Sequence, residues 1–208
     1  MTLSRRKLLQ QGLLAGPVAS GSLLLSGSLA AFVEPGMHAQ GVASSRAPLL
    51  VVRAGDSRAG KPWNIEGTPH VWEKISGRDV GGRLAMLEIT TPASIGPPIH
   101  IHEIQNEWMF LLAGSFGIQA GAERATLHAG DSFMVAAGVP HSYVVLGGEP
   151  ARHLVLFDPA GEMENFFANY DEEHKGATAR DPAKASAQER KYRTKTVGPP
   201  LKASSFAG

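Results

Sequence analysis

Cysteine is absent from the 208 residues, which excludes disulfides, thiol nucleophiles and thiolate metal ligands. Charge imbalance is absent too. Lys and Arg total 20 against 19 Asp and Glu, a formal net charge of +1, and no basic stripe is interleaved with aromatics. Nothing electrostatic therefore argues for nucleic acid or an anionic lipid surface as a partner. No internal repeat is visible, so one copy of a fold unit is expected. Glycine (24) and proline (14) are plentiful instead, which suits many short strands joined by tight turns.

The most informative residues are three histidines and one glutamate. His100 and His102 are two apart, with isoleucines at 99 and 101. On a strand their side chains leave one face and the isoleucines the other. Four residues separate His102 from Glu107, which opens the apolar run Glu107–Leu112 that precedes Gly114. If 99–102 and 107–112 are neighbouring strands, Glu107 points at the spot the two histidines face. His141 follows the turn signal Gly138-Val139-Pro140 and opens another apolar run through Leu146. Three segments converging on one point require a closed or strongly curved sheet. Imidazole and carboxylate suit divalent first-row metals, so His100, His102, Glu107 and His141 are read as ligands of one divalent transition metal per chain. The ligand types do not distinguish Fe, Mn, Ni, Cu and Zn. His38, His70, His128, His153 and His174 are read as surface, loop or packing residues, and Glu103 as pointing to the opposite face from His102.

This spacing resembles the two sequence motifs of the cupin superfamily. The first motif is matched by His100, His102, Glu107 and Gly114, although Gly96 stands closer to the histidine pair than the family's glycine does. The second is matched by Gly130, Gly138 and His141, with Ala136 where the family has proline and Val145 where it has asparagine. Neither departure touches a ligand. The resemblance spans roughly Leu49 to Gly161 and implies an all-β fold: a cupin (double-stranded β-helix, jelly-roll) barrel, here a single one.

At the N-terminus, Ser4-Arg5-Arg6-Lys7-Leu8-Leu9 resembles the bacterial twin-arginine export motif. An apolar stretch rich in Gly, Ser, Leu and Ala follows from Gly12 to Val33, and Glu34 is the one formal charge between Lys7 and Arg46. These are the parts of an export signal, so a periplasmic or secreted protein is expected, touching a membrane only through that segment. Left uncleaved, a stretch of this length is long enough to anchor in a bilayer. Cleavage after Ala39 or Ala43 fits small residues equally well.

The expected organisation is an export signal and linker over 1–43, a barrel over 44–161, and C-terminal helices with an extended tail over 162–208, packed on the barrel. Strands are expected at Leu49–Arg53, His70–Ile75, Arg83–Thr90, Pro98–His102, Glu107–Ala113, Phe116–Ala120, Ala122–Leu127, Asp131–Val135, His141–Leu146 and Arg152–Phe157. Met163, Phe166, Phe167 and Tyr170 recur at helical spacing, and Asp181-Pro182 reads as a cap followed by proline at the first helical position. Val197–Leu201, with two prolines, should be extended.

The single barrel, the segment Leu154–Gly161 leading into an aromatic helix and the late Gly-Pro-Pro resemble cupins described as quercetin 2,3-dioxygenase-like. That resemblance implies an oxidoreductase acting on a small phenolic or enolic substrate, with Glu107 as a base. A metal-dependent isomerase or decarboxylase, and a non-catalytic exported binder of metal or small ligand, remain open alternatives, because one fold hosts many chemistries. Met86, Trp108, Met109, Phe110 and Phe133 are candidate pocket residues, of which Met109 shares the ligands' parity. Edge strands of such a barrel are often covered by a second copy, so a homodimer is expected.

Overall fold

The alternation anticipated for the strands is written in their burial. In a computed structural model, residues 49–65, 68–174 and 182–206 are described. The export segment with His38, and the Asp181 cap, lie outside them. The strands are β1 (Trp63–Ile65), β2 (Thr68–Ile75), β3 (Ala85–Thr91), β4 (Pro98–His102), β5 (Asn106–Ala113), β6 (Ser115–Ala120), β7 (Glu123–His128), β8 (Ser132–Val135), β9 (His141–Leu146), β10 (Ala151–Asp158) and β11 (Thr194–Pro200). Helices α1 (Met163–Ala168), α2 (Tyr170–His174) and α3 (Pro182–Tyr192) lie between β10 and β11. In β3, Ala85, Leu87, Ile89 and Thr91 are buried and the residues between them half-buried, the period of two that one core-facing side imposes.

Two antiparallel sheets form, ordered β1-β2-β3-β10-β5-β8 and β11-β4-β9-β6-β7. This is an all-β barrel with a short helical appendage, the architecture that the resemblance in sequence implies. Its core includes Val71, Leu87, Leu111, Val155 and Phe116, and Phe116 stacks on Tyr143 with ring centroids 4.5 Å apart. Glycine is required where backbones touch. A Cβ at Gly96 would collide with the Tyr143 carbonyl, and Gly114 adopts φ +85° with Ala151 Cβ 2.8 Å from where its own Cβ would be.

Several expectations are corrected. Leu49–Arg53 is not a strand; Leu49, Leu50 and Val51 are exposed and no ladder receives them. An apolar run becomes a strand only where an edge is available to pair with it. The strand expected from His70 begins earlier, at Thr68, so His70 lies within β2. The short β1 was not anticipated, because three residues are too few to show a period. The tail is more than extended: Thr194 and Thr196 pair with His102 and His100, so β11 is an edge strand of the barrel, the place where prolines are tolerated.

Helix α1 is seated by acidic residues. The Gly77 N–H donates to Glu164 Oε2 at 3.0 Å, and buried Glu73 lies beside it. Burial, then the hydrogen bond and charge of Glu164, push the Glu73 carboxyl up to about 7, against opposing fields from Arg78 and Arg58. A carboxyl raised on folding adds stability that is complete below its ordinary value of 4.5 and is lost as pH rises through about 7. Thermal unfolding followed by circular dichroism should therefore show a melting temperature that falls from about pH 5 to pH 8, and Glu73→Gln should flatten that fall. A wild-type curve flat over this range would contradict the raised Glu73 carboxyl.

Candidate metal centre

Three strands from two sheets bring the four residues together. On β4, His100 and His102 share the inward face, and His141, opening β9, lies directly opposite His100 in the ladder. Glu107 arrives from the other sheet, on β5 between Phe157 of β10 and Val135 of β8. β4 and β5 are thus not neighbours; they lie in different sheets, and the three residues between them carry the chain over. All four predicted ligands converge, with one donor atom of each lying within 4.8 Å of the others. His102, Glu107 and His141 are buried.

Backbone carbonyls orient two of the rings. His100 Nδ1 is 2.9 Å from Pro98 O, and His141 Nδ1 is 2.9 Å from Val139 O. A ring nitrogen facing a carbonyl carries the proton, which leaves Nε2 of each ring as the lone pair available for ligation. Glu107 Oε2 lies 2.7 Å from His141 Nε2 and 3.1 Å from His102 Nε2. Two imidazole nitrogens aimed at one carboxylate oxygen repel unless a proton or a cation sits between them. A divalent cation held by His100, His102, His141 and Glu107 would remove that conflict without charging His141. The donor set therefore fits a metal ion, and the carbonyl partners behind two rings are the outer shell such sites use.

The electrostatics agree. Burial would raise the Glu107 carboxyl, but hydrogen bonds from His102 and His141 outweigh it and hold Glu107 well below the usual carboxylate range. Burial pushes His100 down to about 4. For His141 burial acts downward too, yet the Glu107 hydrogen bond and charge leave it raised. Without an ion, Glu107 is thus anionic and draws His141 toward its charged form; a divalent cation would take the place of that proton.

A cavity of about 480 Å³ opens onto the centre. Ile89, Met109, Val155 and Phe157 line it from the strands, and Phe166 and Phe167 from α1. Of the pocket candidates named from sequence, Met109 alone lines it. Trp108 and Phe110, at the opposite parity, are exposed, and Phe133 packs against the core. Sequence reasoning missed His70 and His153 as cavity residues; for His153 the signal was its shared parity with Val155 and Phe157. Glu103 points away from the centre and pairs with Arg193 at 2.7 Å. His128 is exposed at the end of β7, 3.4 Å from Ser115 Oγ.

Residues 86–157 match the family described as Cupin domain. No curated protein matches the chain. Among solved structures, it is similar to a predicted oxalate decarboxylase from Thermotoga maritima at 18% identity, covering 53% of this chain and 99% of that one with a TM-score of 0.48. It is similar to KdgF from a Halomonas species at 19% identity, 51% and 94% coverage and a TM-score of 0.42. For an RmlC-like cupin from Shewanella frigidimarina the values are 21%, 45%, 78% and 0.39.

Proposed function

We propose, from the premise that this chain carries a cupin domain, that it is an exported mononuclear-metal oxidoreductase acting on a small phenolic or enolic substrate, quercetinase-like in its chemistry. The observation that carries this reading is a buried three-histidine, one-glutamate cluster at the wall of a largely apolar cavity. His100, His102, Glu107 and His141 would hold a divalent ion, which would supply Lewis acidity and redox chemistry toward dioxygen. The chain's own groups do the rest. Ile89, Met109, Val155 and Phe157 exclude water from the substrate's apolar body. The carbonyls of Pro98 and Val139 fix the rings of His100 and His141. Glu107, kept anionic, accepts the proton of the substrate hydroxyl at a carboxylate oxygen.

Oxygen uptake by the metal-loaded protein with a panel of flavonols, catechols and diketones tests the reading. Uptake dependent on substrate and on metal is expected. Turnover of a panel member without oxygen would move the protein to the isomerase or decarboxylase class, and tight binding without turnover to the binders.

Localisation and assembly belong to the same proposal. The Ser4–Leu9 motif supports a periplasmic or secreted destination, checked by fractionating cells that express the full chain. Trp108, Phe110 and Met134 are exposed at 47%, 41% and 47% on the outward face of β5 and β8, which supports a homodimer covering that face. Sedimentation at high concentration showing only monomer would exclude it.

A further inference from the structure

The metal-ligating residues occupy one level of the barrel, and a second level of the same cavity holds polar groups that the proposed chemistry leaves unused. Along β5 and β10 the facing pairs are Glu107 with Phe157, Met109 with Val155, and Leu111 with His153. His153 therefore sits four residues along β10 from the Glu107 level, roughly 13 Å at the rise of an extended strand. On the other sheet Tyr143 lies two residues beyond His141 on the same face, roughly 7 Å. The Tyr143 and His153 rings meet nearly edge to face with centroids 5.4 Å apart. Tyr143 Oη and Thr91 Oγ1 are 3.1 Å apart and share a hydrogen bond. All three side chains line the cavity. His153 is fully buried, and neither of its ring nitrogens has a hydrogen-bond partner among the described residues.

Packing alone does not explain a histidine here. Its ring contacts with Phe116 and Tyr143 are ones a phenylalanine would make without burying two unpaired nitrogens, which is costly. We propose that Thr91, Tyr143 and His153 form a second polar subsite of the cavity, receiving a hydroxyl of an uncharged, flat ligand whose other oxygens sit at the His100, His102, Glu107 and His141 cluster. This rests on the reading of that cluster as a metal centre for phenolic or enolic compounds.

The chemistry of the subsite selects the ligand. Burial pushes His153 down to about 4, so at neutral pH its imidazole offers one N–H and one lone pair. A hydroxyl, which donates and accepts, complements that pair. A carboxylate, which only accepts, does not, and the lining's lysine, Lys195, pairs with Ile101 at the level of the centre rather than at this end. Between the poles lie Ile89, Met109 and Val155, which suit an apolar ring system. A span of roughly 7 to 13 Å between polar ends calls for two linked or fused rings rather than one.

The test uses the zinc-loaded full chain, zinc being redox-inert, titrated calorimetrically with galangin, kaempferol and quercetin. These flavonols share one hydroxy-ketone end and carry none, one and two hydroxyls on the remote ring. Kaempferol and quercetin are expected to bind wild type at least 10-fold more tightly than galangin. His153→Phe should abolish that preference, and His153→Gln, which restores a donor and an acceptor, should keep part of it. In wild type, the ¹⁵N resonances of the His153 ring should shift with kaempferol and not with galangin, a readout that needs no variant to fold. Equal binding of all three flavonols, a preference that survives in His153→Phe, or equal ¹⁵N shifts would overturn the subsite and leave the phenolic reading standing. Failure of all three to bind wild type would overturn that reading and the subsite with it.

Discussion

Wild type is expected to hold one divalent ion per chain, and the double variant His100→Ala/His141→Ala to hold none. What remains after the change is one residue from each sheet, His102 and Glu107, already 3.1 Å apart and bonded to each other. Two ligands so arranged cannot replace the hydration shell of a divalent ion. Each single alanine variant should weaken affinity by more than about 100-fold, beyond the range typical for losing a residue that only supports a ligand. His153→Ala should leave occupancy intact, since it stands at another level of the barrel. Elemental analysis after dialysis against a weak chelator reads occupancy, and circular dichroism confirms that the variants are folded. Full occupancy in the double variant would remove these residues from the site.

Glu107→Gln separates binding from chemistry. Glutamine keeps a carbonyl oxygen and nearly the same volume but loses the charge and the proton-accepting carboxylate. Three imidazoles remain, two of them oriented by backbone carbonyls that the substitution does not touch. Metal binding should therefore weaken yet persist. Turnover should fall by roughly 100-fold or more, the usual contribution of a positioned base. A binder would instead show a modest change in ligand affinity. A variant that retains both metal and near-normal turnover would exclude the base role and leave Glu107 a dispensable fourth ligand.

Much of this centre was legible because strand parity is a local property. His100 and His102 two apart, Met109 at the parity of Glu107, and Trp108 and Phe110 at the other follow from alternation alone, and burial in β5 obeys it. What alternation cannot tell is which sheet a strand joins. The short link from His102 to Glu107 reads as a turn between neighbours, whereas it carries the chain from one sheet to the other. Leu49–Arg53 misled for the converse reason: its residues have strand character, but pairing depends on an edge elsewhere. β11 was half seen, because its prolines suppress helix without revealing that Thr194 and Thr196 would pair beside the ligands. The aromatic spacing of α1 announced a helix, and only the packing shows that Phe166 and Phe167 turn toward the cavity.

Because Glu107 and the histidines come from opposite sheets, the centre has no precursor in the unfolded chain. His100 and His102 are together from the start, but Glu107 joins them only when the two sheets close, and His141 comes from a strand another 34 residues further along. A nascent chain thus offers a passing ion two ligands at most, and the full set exists only as a late product of folding. The selection of metal is then a question of place and time: the ions present where the barrel closes are the ones that compete for it. Once seated, an ion ties one sheet to the other, so that its release requires the sheets to part at that level. Its residence time would report on the breathing of the barrel as much as on the strength of the bonds to its ligands.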